Sequence, residues 1–160
     1  EDRRFMPTLL LATDDSEPAR EAGSYLLRTF PPDEYSVIVV SVASAPDLMQ
    51  HYDVTREDEN QTGAPQADDM KDRVTEETRK IAEATADRFR SANYDVSVEV
   101  PIGRPGEEIC ALAEREDVDT ILMGRRGRGV LGEVLLGSVS RYVVHHAPCA
   151  VTILPRLSTD

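Results

Sequence analysis

The chain has 160 residues, of which 40% are apolar, 30% charged and 5% aromatic; this suits one compact domain over residues 1–160 and excludes a fibrous or largely disordered chain. Thirty acids against 18 bases give a formal charge of −12, the wrong sign for nucleic-acid binding, which depends on bases displacing counterions. No run approaches the ~20 apolar residues of a membrane helix, and no apolar signal core follows Glu1-Asp2-Arg3-Arg4, so a cytoplasmic protein without membrane partners is expected.

The bases are lopsided: only Lys71 and Lys80 are lysines and the other 16 are arginines. With so many acids, that balance is compatible with a salt-rich, halophilic interior. Cys110 and Cys149 form neither a C-x-x-C pair nor a Cys/His cluster, and read as small buried side chains in a reducing compartment.

In chain order, Thr8-Leu9-Leu10-Leu11-Ala12-Thr13 is an apolar run bounded by Pro7 and Asp14, too short for a helix and suited to a strand buried on both faces. Ser16 can cap a following helix, Pro18 fits its first turn, and Ala19, Ala22 and Leu26 recur at helical spacing up to Pro31-Pro32. Val37-Ile38-Val39-Val40-Ser41-Val42 is the β-branched pattern of a central parallel strand. Residues 44–69, with seven acids and one arginine, lack periodicity and read as a long exposed loop.

A second helix is predicted from Met70 to about Arg90, with Met70, Val74, Ile81 and Phe89 near one face and Ala82 and Ala86 beside it. Val96, Val98 and Val100 alternate with Ser97 and Glu99, as in a strand with one face to solvent, placed at an edge. Pro105 opens a helix with an Ile109, Leu112, Ala113 stripe, and Thr120-Ile121-Leu122-Met123 is a fourth buried strand that stops at Gly124. Beyond a glycine-rich loop, Val139, Tyr142, Val143 and His146 mark a last helix with His145-His146 at its surface and core edge, and Pro148 separates it from the strand Ala150–Leu154. Strands alternating with helices build a doubly wound α/β domain, its five-stranded parallel sheet in the order 3-2-1-4-5 with helices on both faces.

In such sheets ligands settle beyond the carboxyl ends of the strands, where the crossovers change direction. The loops there are Thr13-Asp14-Asp15-Ser16 and Gly124-Arg125-Arg126-Gly127-Arg128-Gly129, the latter followed by Gly137-Ser138 at a helix start. Glycines let backbone N–H groups approach an oxyanion, and a helix start adds unpaired donors. Arg125, Arg126, Arg128 and Arg141 against Glu133 make this segment basic in an acidic chain. A turn with solvated arginines is the alternative account of the same residues.

There is no G-x-x-x-x-G-K-[ST], so a P-loop is excluded. Gly127-Arg128-Gly129-Val130-Leu131-Gly132 matches G-x-G-x-x-G, but only 28 residues follow it, too few to complete a dinucleotide-binding half. G-x-S-x-G is absent and no catalytic residue stands out.

The spacing Gly124, two residues, Gly127, nine residues, Gly137-Ser138 resembles the ATP-binding signature of the universal stress protein family. Leu11-Ala12-Thr13-Asp14-Asp15-Ser16, Ile38-Val39-Val40-Ser41-Val42, Gly103-Arg104-Pro105 and Val118 to Gly124 resemble further family blocks, so the likeness runs from about Pro7 to Leu154 apart from the acidic loop. It implies that Asp14 and backbone groups of Val42 hold adenosine, and that Gly124, Gly127, Gly137 and Ser138 cradle the phosphates, with the Val139 N–H nearby. Arg125 and Arg126 stand where many relatives carry small or single basic residues, and add attraction for a triphosphate or offset an acidic surface in high salt. ATP with a divalent cation, Mg or Mn, bound through the phosphates is the expected cofactor, in a homodimer joined through Ala150–Leu154.

Asp14 suits a ribose hydroxyl, which donates to a carboxylate; capping the first helix is its other possible task, one Ser16 could perform. The resulting expectation is a nucleotide-dependent stress-response regulator with slow or no hydrolysis, since arginines and Ser138 hold charge rather than move protons. A nucleotide-free interaction protein on the same dimer fold is the alternative. A phosphorylated receiver domain fails because Val98-Glu99-Val100-Pro101-Ile102-Gly103 lacks the needed aspartate and Pro155-Arg156 stands where a lysine would follow strand 5.

Overall fold

Leu9, Leu10 and Leu11 are consecutive and all buried, so apolar cover must lie on both sides of the strand that carries them. They centre β1 (Thr8–Ala12) of the computed structural model, which describes residues 6–44, 67–125 and 136–155. After β1 come α1 (Glu17–Thr29), β2 (Ser36–Val40), α2 (Ala67–Arg90), β3 (Asp95–Glu99), α3 (Pro105–Arg115), β4 (Thr120–Gly124), α4 (Ser138–His146) and β5 (Ala150–Leu154). The strands form one five-stranded sheet in the order β3-β2-β1-β4-β5, parallel throughout. This is the topology expected from the sequence.

Because side chains alternate across a strand, the sheet splits its apolar residues into two cores. Leu9, Leu11, Val37, Val39 and Leu122 pack with Ala22 and Leu26 of α1 and Ala82, Ala86 and Phe89 of α2. Leu10, Ala12, Ile38, Val40, Ile121 and Met123 pack on the other face with Ile109, Leu112 and Ala113 of α3 and Val143 of α4. Each large aliphatic side chain so buried contributes about 1.5–3 kcal/mol. The chain thus winds from β1 outward to β3 under α1 and α2, then returns to β4 and β5 under α3 and α4. The change of direction opens a crevice between the carboxyl ends of β1 and β4.

The helix ends follow local chemistry. Ser16 caps α1 by accepting the Ala19 N–H at 3.4 Å, and the Phe30 N–H closes its last turn on the Leu26 carbonyl before Pro31 and Pro32 prevent continuation. Helix α2 starts at Ala67 rather than Met70. The added residues include exposed Asp68 and Asp69, which favour a helix start electrostatically but leave no apolar periodicity to read. Of the predicted acidic loop, residues 45–66 lie outside the described residues.

Strand β3 is at the edge as expected, with Asp95 and Ser97 exposed and Val96 and Val98 half-buried. Cys110 and Cys149 are free thiols and only half-buried, which corrects the expectation of full burial: both flank the second core instead of entering it. His145 and His146 are exposed in the last turn of α4, the His146 ring stacked on Tyr142 with centroids 4.0 Å apart. No helix among the described residues is long and apolar enough to cross a membrane.

Candidate functional site

The first wall of the crevice is the turn after β1. Asp15 adopts a left-handed conformation, φ 62°, so the chain breaks sharply away from the sheet after Asp14. The half-buried Asp14 receives the Ser16 N–H on Oδ1 at 3.0 Å. Capping of α1 falls to Ser16, and Asp14 is the carboxylate at the end of β1.

Val42 stands just past β2, and the bonds of its neighbours fix its orientation. The Ser41 N–H donates to the Glu99 carbonyl at 3.2 Å and the Ala43 N–H to the Pro101 carbonyl at 2.9 Å, both toward the β3 side. Backbone groups of successive residues in an extended chain turn to opposite sides, so Val42 directs its N–H and C=O toward β1. There the last rung is the Thr13 N–H on the Val40 carbonyl, 2.9 Å, and the chain of β1 then departs. A bridge between Ala43 and Ile102 carries the β2 path further than β1 reaches. The Val42 backbone therefore faces the crevice.

The opposite wall is built at the end of β4. The Arg125 N–H donates to the Leu154 carbonyl at 2.9 Å, toward β5, so Gly124 one residue earlier turns its backbone groups toward β1. The Gly137 N–H donates to the Arg125 carbonyl at 3.0 Å, bringing the start of α4 onto the end of β4. Gly137 is the N-cap of α4, with φ −66° and ψ 166°. The amides of Ser138, Val139 and Ser140, in the first turn, have no acceptor within the helix. They and the helix dipole favour an anion at this end.

Of the residues singled out in the sequence, Asp14, Val42, Gly124, Arg125, Gly137, Ser138 and Val139 all lie at the carboxyl end of the sheet, around β1, β2 and β4. Ser138 is exposed, Val139 and Arg125 are half-buried and Gly137 is buried. Arg126 and Gly127 lie outside the described residues. The Gly137 amide, expected to point at phosphate, is engaged by Arg125; the first-turn donors without an acceptor inside the helix follow it by one to three residues.

Two participants went unread. Pro18 of α1 seats against Gly124, where a β-carbon would fall 2.6 Å from Pro18 Cβ. Ser140 is buried and its Oγ lies 2.8 Å from the Arg125 carbonyl. A proline in a first helical turn and a serine two residues beyond Ser138 were visible in the chain, but neither shows its contact without the fold.

The chain matches the universal stress protein family over residues 6–155. Universal stress protein Slr1101 of Synechocystis is 46% identical over 63 residues, 39% of this chain and 58% of that protein. Universal stress protein MJ0577 of Methanocaldococcus jannaschii is 34% identical over 88 residues, 55% of this chain and 54% of that protein. These matches span little more than half the length of either relative. The solved structure of MJ0577 superposes with a TM-score of 0.78 at 26% identity, covering 97% of this chain and 99% of that one. An Arabidopsis thaliana structure with AMP bound shares the fold at 17% identity, with a TM-score of 0.61 over 96% of this chain and 94% of that one. With its strand order, its crevice and a match across both, the chain belongs to the universal stress protein family.

Proposed function

We propose that this chain binds ATP in the crevice between β1 and β4 as one nucleotide-binding unit, and acts in the cytoplasm as a nucleotide-dependent stress-response dimer with slow or no hydrolysis. The observation that carries the reading is the direction of the Val42 backbone: a donor and an acceptor face the crevice beside Asp14, a pairing suited to the edge of adenine and a ribose hydroxyl. Across the crevice, the first-turn amides of α4 and Arg125 suit the phosphates. A divalent cation, Mg or Mn, would enter on the phosphate oxygens and complete its shell with water, as Mg²⁺ does. The AMP carried by the Arabidopsis relative is in keeping with adenine recognition on this fold. An acid-rich chain suits a halophilic setting.

The decisive experiment is to denature purified protein, chromatograph the released small molecules, strip the remainder of nucleotide and titrate it with ATP and Mg²⁺. Saturable binding with one site per chain is expected. Absence both of co-purified adenine nucleotide and of titration heat would remove the proposal.

A specific observation also favours the nucleotide-free interaction protein. A β-carbon at Gly124 would meet Pro18, so one glycine of the signature has a structural reason to be there without a ligand, and the Gly137 amide is already engaged by the Arg125 carbonyl. Under that reading the dimer persists and ATP has no effect on it.

A further inference from the structure

We infer that Ser140 is a positioning residue that sets how firmly the proposed site grips phosphate relative to adenosine, an inference that rests on the adenine-nucleotide reading above. The Ser140 Oγ is within hydrogen-bond reach of two carbonyls, Arg125 at 2.8 Å and Gly137 at 3.1 Å, and its single proton makes the shorter contact the principal one. The Arg125 carbonyl also receives the Gly137 N–H at 3.0 Å, while the Arg125 N–H is held by the Leu154 carbonyl of β5 at 2.9 Å. The residue leaving β4 is therefore tied to the sheet on one side and to the first turn of α4 on the other. The Gly137 carbonyl in turn starts the helix by accepting the Arg141 N–H at 3.0 Å.

This arrangement decides where the open amides of Ser138 and Val139 stand relative to the sheet. Gly137 has no side chain with which to cap α4, so the usual means of orienting a helix start is missing. Ser140 is buried, with 2% of the residue's surface exposed, and its hydroxyl fills that role from inside the helix by reaching back to Arg125 at the end of β4. Donors already aimed at an anion need no reorganisation when it arrives, which is the source of their strength. None of these bonds touches the turn after β1 or the Val42 backbone, where the adenosine end would lie. Loss of the hydroxyl should act on one half of the ligand.

Ser140→Ala leaves the Arg125 carbonyl still paired with the Gly137 amide, so no buried acceptor is orphaned and the fold is retained. The test is calorimetric titration of nucleotide-stripped wild type, Ser140→Ala and Ser140→Thr with ATP and, separately, adenosine. In Ser140→Ala, ATP affinity should fall about fivefold to tenfold, the worth of one buried hydrogen bond, with adenosine affinity held within twofold; Ser140→Thr should restore ATP binding. If Ser140→Ala does not fold, comparison of Ser140→Thr with Ser140→Val, near-equal in shape, isolates the hydroxyl. Unchanged ATP affinity without the hydroxyl, or equal weakening of both ligands, overturns the role of Ser140 while leaving nucleotide binding standing. Wild-type protein that takes up neither ligand overturns both.

Discussion

Gly124 and Pro18 touch where no side chain could intervene: a β-carbon at Gly124 would lie 2.6 Å from both Pro18 Cβ and the Pro18 carbonyl carbon, and 2.8 Å from its oxygen. The first turn of α1 is thereby pressed onto the end of β4. Because the contact includes backbone, it cannot be relieved by a rotamer change. Gly124→Ala should cost about 1–3 kcal/mol through overpacking, read as a lower urea midpoint in nucleotide-free protein. A midpoint equal to wild type would show that the helix yields freely there.

Ser138→Asp separates the two functional readings because its effects carry opposite signs. An exposed carboxylate in the first turn of α4 should stabilise the helix by about 0.3–1 kcal/mol, while repelling phosphate from the same amides. A melting temperature raised or unchanged together with at least a tenfold loss of ATP affinity is the expected pair of results. Equal ATP affinity in wild type and variant would argue that phosphate binds elsewhere.

Asp14→Asn keeps an oxygen to accept the Ser16 N–H but removes the charge offered to a ribose hydroxyl. A charge-assisted hydrogen bond exceeds a neutral one by about 1 kcal/mol, so ATP and adenosine should weaken in parallel by roughly fivefold, with thermal stability little changed. Loss confined to ATP would move Asp14 to the phosphate end.

The proposed dimer can be tested on the outer edge of the sheet. Since Leu154 bonds toward β4, Val151 and Ile153 turn their backbone groups outward, and among the described residues no strand of this chain pairs with that side. Proline at such a position removes an outward donor while sparing the β4 ladder. Val151→Pro should convert a dimer to a monomer in sedimentation, with the circular dichroism of the fold intact; a variant that remains dimeric would exclude pairing through β5.

Alkaline pH should destabilise the protein. Burial raises the thiol pKa values of Cys110, with a smaller contribution from Cys149 beside it, and of Cys149, partly offset by the backbone of Ile121. Burial also raises the phenol of Tyr94, which donates to the Phe30 carbonyl. These groups are neutral when protonated, so the unfolded chain releases its protons first, near pH 8.5 for cysteine and about 10 for tyrosine. The stabilisation is complete below those values and is lost as pH rises through the folded-state values. The urea midpoint should therefore hold between about pH 7 and 8 and fall above pH 9; a midpoint that rises over that range would contradict the sign.

Much of this architecture was legible one residue at a time. Three successive buried leucines, the β-branched run at Val37–Val40 and the alternation of Val96 and Val98 announce their strands because a parallel sheet covered on both faces admits few other patterns. Ser16, Pro18 and Pro105 mark helix starts through chemistry confined to a single turn. The spacing of Gly124 and Gly137-Ser138 pointed to the carboxyl end of the sheet, where these residues lie.

What those residues do there was decided by neighbours distant in the chain. Gly124 must lack a side chain because of Pro18, 106 positions earlier, and the Gly137 amide finds its acceptor on Arg125 because the start of α4 is brought to the end of β4. The Val42 backbone faces the crevice only because β3 claims the amides on either side of it while β1 has already turned away. Hydrophobic pattern and capping act over a few residues and can be read locally; the direction of a hydrogen bond past a strand's end depends on which chain lies alongside, and that belongs to the assembled sheet.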